Sequence, residues 1–108
     1  MSREVFTILA EVEVLKVDDK DCLARFASGA RPTISYKGLE ASGASFASCE
    51  INLGDVEEAF PGDKLEIEIG FLSPELHEPL MHLGLEFGLY AGPWQIARGK
   101  VSYCRRGI

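Results

Sequence analysis

"PGDKLEIEIGFL", residues 61–72, is the stretch on which the fold turns. Within it Leu65, Ile67, Ile69 and Phe71 alternate with Lys64, Glu66 and Glu68. Successive side chains of an extended chain project to opposite faces, so a period of two marks a strand with one apolar and one solvated face. Pro61-Gly62 supplies the turn that leads in, because glycine reaches the positive φ that a type II turn requires.

Upstream, residues 5–17 place Phe6, Ile8, Ala10, Val12 and Val14 on one face and Glu11 and Glu13 on the other, which predicts a first strand. "DDKDCLARFASGARP" passes from charged to turn-forming and predicts a loop with Leu23 and Phe26 packed inward. "TISY" (33–36) resumes extended structure, since Pro32 pushes Arg31 towards the β region. "GLEASGAS" (38–45) predicts a turn and "FASCEINL" (46–53) a further strand.

Downstream, "SPELHEPLMHLG" (73–84) contains Pro74 and Pro79, which leave room for no more than a helical turn. "LGLEFGLY" (83–90) puts Leu83, Leu85, Phe87 and Leu89 on one face, Gly92-Pro93 makes a turn, and "WQIARGKVSYC" (94–104) is a last strand. Six strands at turn-marked intervals, with no helix of three turns, predict an all-β antiparallel barrel or sandwich. Closing the sheet would also hide its edges, which a chain this rich in strand needs.

The chain has 108 residues, the size of one domain with a single core. Its 46% apolar and 26% charged content is that of an ordinary globular protein. Eleven Lys and Arg against seventeen Asp and Glu give a net charge of -6, which disfavours a non-specific grip on phosphate backbones, DNA included. Near the N-terminus Glu11 and Glu13 interrupt the apolar stretch, so it reads as a strand and not a leader; no run reaches the ~18 apolar residues of a bilayer span. Cys22, Cys49 and Cys104 are odd in number and form no C-x-x-C pair, which suggests neither a disulfide framework nor a zinc knuckle and points to a reducing, cytoplasmic setting.

The sequence offers no catalytic signature. No G-x-S-x-G elbow is present, and the Glu11/Glu13 and Glu66/Glu68 pairs fall two apart on strands as a solvated outer face. His77 and His82 are five apart in a proline-bracketed loop, a spacing that matches no helix-based ligand pair, so a solvated loop is expected and no metal. Cys49 and Cys104 read as buried thiols and Cys22 as an exposed one. Tyr90 and Trp94 flank "AGP" at a turn and, with Tyr36, are the aromatic candidates for recognition. Trp94 reads equally as an interface anchor and as a cap on the core.

Three separated pieces, in order, carry a family resemblance: "GARP" (29–32) followed by an extended strand, "FPGDKLEIEIGFLSP" (60–74), and "GLEFGLYAGPWQIARGKV" (84–101). Over the span from Glu4 to Tyr103 the chain resembles the C-terminal β-barrel domain (domain 3) of translation elongation factor Tu. The resemblance implies a single closed, antiparallel, six-stranded β-barrel over residues 1–108. It places Arg31 at the family's Gly-x-Arg-Pro rim turn, either fixing that rim against carbonyls or a carboxylate such as Asp63, or touching a partner.

The departures shape the functional expectation. No G-x-x-x-x-G-K-[ST] phosphate loop is present, so the family's GTPase chemistry is not expected. The loop "KDCLARFAS" keeps Lys20 and Arg25 but no histidine, Glu86 stands where the family usually has arginine, and Trp94 replaces another basic position. Each change removes positive potential. The expectation is a non-catalytic, cofactor-free binding module that recognises a protein partner through Arg31, Tyr36, Tyr90 and Trp94, and the resemblance implies a partner of the translation apparatus. The alternative is a weak tRNA or RNA binder using Lys20, Arg25, Arg31, Arg98, Lys100, Arg105 and Arg106.

Overall fold

A computed structural model describes residues 6–19, 25–38 and 47–105. In chain order the strands are β1 (Phe6–Val14), β2 (Phe26–Ala27), β3 (Thr33–Tyr36), β4 (Ala47–Asn52), β5 (Glu58–Ala59), β6 (Lys64–Phe71), β7 (Glu86–Ala91) and β8 (Trp94–Arg105). Six of them close a barrel in the order β1-β6-β4-β3-β7-β8, every neighbouring pair antiparallel. Among the described residues one helical turn, α1 (Pro74–His77), runs into a 3₁₀ turn at Glu78–Leu80, which is all that Pro74 and Pro79 allow.

The alternation in the sequence becomes the inside and outside of this barrel. Phe6, Ile8, Ala10, Val12 and Val14 of β1 and Ile67, Ile69 and Phe71 of β6 are buried together with Ile34, Ile51, Leu89 and Val101. Phe6 and Phe71 stack with ring centroids 5.7 Å apart, and they also lie opposite one another in the β1/β6 register. The Pro61-Gly62 turn forms as expected: Gly62 has φ 95°, and Asp63 N–H donates to the Phe60 carbonyl at 2.9 Å.

Two register shifts let so small a cylinder close. One, against β1, falls between Leu9/Ala10 and leaves Ser102 of β8 without an opposite residue; the other, against β7, does the same for Ile96. A bulge raises local twist and re-aims side chains, so consecutive Ile96 and Ala97 are both buried, which strict alternation forbids. Gly99 sits where β8 presses on β1: a Cβ there would lie 2.5 Å from the Glu11 carbonyl oxygen.

Some expectations change. The loop before β3 contains β2, which pairs with β5 as a small ribbon; Phe26, Ala59 and Leu53 are buried beside it and close one mouth of the barrel. Leu23 lies outside the described residues. The first strand ends at Val14 and not at 17. Leu83 is not on the inward face of the strand after it: Gly84 turns the chain with φ 85°, and Leu83 is 68% exposed. His77, expected in a solvated loop, is 0% exposed and plugs the other mouth. A barrel of six strands has two open ends, and burying a ring there covers core apolar surface that water would otherwise reach.

Candidate functional site

The register places the four sequence candidates at two different ends. β3 begins where antiparallel β7 finishes, with Thr33 opposite Tyr90, so Arg31, Tyr90 and Trp94 share one rim. Tyr36 ends β3 at the other mouth and is fully buried. As a residue for touching a partner it is corrected to a core residue: Ile34 and Tyr36 are two apart and both point inward.

The core position of Tyr36 has its own chemistry. Its hydroxyl and His77 Nδ1 are 2.6 Å apart, and the His77 ring stacks on Phe71 at 4.3 Å. His77 Nε2 is buried and has no hydrogen-bond partner among the described residues. Burial lowers the His77 pKa, opposed in part by Glu75; burial also raises that of Tyr36, with Cys49 adding to the effect. The Cys49 thiol is pushed up to about 12 by burial, and its Sγ lies 3.6 Å from the Pro32 carbonyl. The Cys49 thiol is therefore not poised for nucleophilic work, since a buried, protonated thiol is unreactive. Among the described residues no three His, Cys, Asp or Glu side chains gather as a metal site.

At the rim, Arg31 pairs with Glu50 at 3.2 Å and not with Asp63, whose carboxylate accepts the Phe60 N–H at 2.9 Å. Trp94 is half-buried, and its indole N–H donates to Asp19 at 3.1 Å, tying the segment after β1 to the β7/β8 hairpin. Tyr90 lies beside Gly88 on the outer face, with its ring 3.0 Å from where a Cβ on Gly88 would stand.

From Tyr90 the outer face opens into a groove of about 780 Å³ that crosses β3, β7, β8, β1 and β6, within the size range of small-ligand sites. Its walls follow from register. One row runs Ser35, Gly88, Arg98, Glu13, Lys64, and the next runs Glu86, Lys100, Glu11, Glu66, with Lys37 bonded at the head of the second. Charge changes sign at nearly every step between strands, a step of about 4.8 Å. Glu13 binds Arg98 at 2.9 Å, and Lys37 binds Glu86 at 3.2 Å. The groove therefore holds four carboxylates (Glu11, Glu13, Glu66, Glu86) and four cations (Lys37, Lys64, Arg98, Lys100), whereas the whole chain carries -6.

The groove was hidden from sequence reasoning, which took Glu11, Glu13, Glu66 and Glu68 as a solvated face. That reading is right about direction and silent about which strands lie side by side. Of the basic candidates for RNA, Arg25 pairs with Glu58, Arg31 with Glu50 and Arg98 with Glu13, whereas Lys100 makes no ion pair among the described residues. Lys20, Cys22 and Arg106, and the side chains of Cys104 and Arg105, lie outside the described residues. No helix among the described residues is long and apolar enough to cross a membrane. No family model and no curated protein matches the chain.

Proposed function

We propose that this barrel is a non-catalytic binding module whose outer groove, with the adjoining rim of Arg31, Tyr90 and Trp94, recognises a protein. The observation that carries the reading is the mixed charge of the groove. A nucleic-acid backbone laid into it would meet Glu11, Glu13, Glu66 and Glu86 at close range, and such contacts repel where phosphate binding needs a continuous cationic track. A protein surface carries both signs and gains specificity from their arrangement. Half-buried Trp94 and Tyr90 at the edge supply the rigid aromatic area that anchors such interfaces. The elongation factor Tu resemblance adds the class of partner, a component of the translation apparatus, by analogy of fold.

The test is photocrosslinking in lysate with a benzoylphenylalanine at Gln95, which lines the groove, and at exposed Ser48 of β4 as a control. One protein joined at position 95 and absent at position 48 is the expected result. Equal labelling at both positions, or tRNA binding that weakens steeply with salt and competes at position 95, rejects the proposal.

A further inference from the structure

The groove does not use all of its charge internally. Glu13 stands in register between Arg98 and Lys64 and bonds Arg98; Glu86 stands between Lys37 and Lys100 and bonds Lys37. Among the described residues Lys64 and Lys100 are thereby left without ion pairs. Glu11 likewise makes none, and Glu66 accepts only the Ser102 hydroxyl, at 3.2 Å.

Those two carboxylates are directly opposite one another in the β1/β6 register, on the same outer face. Like charges in that relation repel across a sheet.

We infer that the occupant is an extended polypeptide segment with a lysine or arginine flanked, two positions away on each side, by carboxylates. Its cation would lie between Glu11 and Glu66, and its carboxylates would meet Lys64 and Lys100. The inference rests on the proposed function, since it names what the protein partner inserts.

Spacing supports it. Lys100 is one strand beyond Glu11, and Lys64 is two residues before Glu66 on β6, so each stands about 7 Å from the midpoint of the acid pair, the interval between same-face residues of an extended chain. One lysine lies across the strands and the other along them; their flexible four-carbon stems absorb that difference in direction. A purely acidic or purely basic segment would satisfy one pair and repel the other.

The experiment is an NMR titration of the ¹⁵N-labelled full chain with two capped pentapeptides, Glu-Ala-Arg-Ala-Glu and Arg-Ala-Glu-Ala-Arg. The first is expected to bind at least tenfold more tightly, moving the amides of Glu11, Lys64, Glu66 and Lys100. In a Glu11→Gln/Glu66→Gln variant that preference should vanish while thermal stability holds or rises, as a repulsive pair has been removed. Equal binding of the two peptides, shifts lying outside the groove, or a preference that survives in the variant overturns the inference. If equal binding is found while a protein still crosslinks at position 95, the segment is wrong and the module stands; if the peptides discriminate but no protein crosslinks, the protein partner falls and the groove chemistry stands.

Discussion

His77 is the residue on which stability should depend most visibly. It is held neutral in the plug: Tyr36 meets one ring nitrogen, Phe71 stacks on the ring, and Glu75 is the charged neighbour that partly opposes desolvation. Its folded pKa is depressed below the ordinary 6.5, so between the two values the unfolded chain binds more protons than the native one. Stability is therefore complete above about pH 6.5 and falls as pH drops from there towards the folded value. Melting temperature measured from pH 7.5 to 5 should decline in the wild type and flatten over that window in His77→Phe. An identical slope in both would assign the decline to carboxylates. Tyr36→Phe removes the hydrogen-bond partner of His77 Nδ1 and should cost about 1–3 kcal/mol by denaturant titration, since it leaves one more buried polar group unsatisfied. Cys49 should resist alkylation in a Cys22→Ser/Cys104→Ser background, with labelling tracking global unfolding; rapid modification under native conditions would contradict its burial.

At the scale of elements, the tightest constraint is the crossing of β8 over β1. Gly99 needs neither positive φ nor flexibility; it needs the absence of a Cβ, because the Glu11 backbone and the Val12 and Phe87 side chains occupy that space. Gly99→Ala should destabilise by about 1–3 kcal/mol through overpacking. Gly88→Ala is the informative contrast. There the first atom met is the amide end of the Gln95 side chain, at 2.8 Å, which can swing away. Urea midpoints that rank the two substitutions equally would refute the distinction between a backbone obstacle and a movable one. The turns were legible in advance for a local reason, since Pro61-Gly62 and Gly92-Pro93 encode their own dihedral angles. The bulges were not, because Ile96 and Ser102 carry no mark of their misalignment; it arises only when β8 must match β1 and β7 at once.

As a whole, the molecule is closed by pairing its first described strand with its last, β1 with β8. That pairing spans most of the chain, and such non-local contacts repay their loop-closure entropy late. Refolding by stopped flow should therefore fall in the millisecond-to-second range typical of all-β domains, not the microsecond range of helical bundles. A chain cut after Tyr90 should fail to give dispersed amide resonances, since both β1 and β7 would lose their β8 partner. Closure also explains why a strand-rich chain leaves no barrel edge free for strand addition, so recognition falls to outward side chains.

What the sequence determined by itself is whatever repeats locally: which residues of each strand face the core, where the proline and glycine turns fall, and that six strands make an antiparallel sheet. Tyr36 belongs with these, for its inward direction follows from Ile34 two residues earlier. The tertiary structure alone decided which strands became neighbours, and hence that Glu11 faces Glu66, that Lys64 and Lys100 make no ion pair among the described residues, and that a histidine in a polar, proline-bracketed segment ends in the core. The physical reason is that a side chain's direction is set by its own backbone, whereas its neighbours are set by register between strands far apart in the chain.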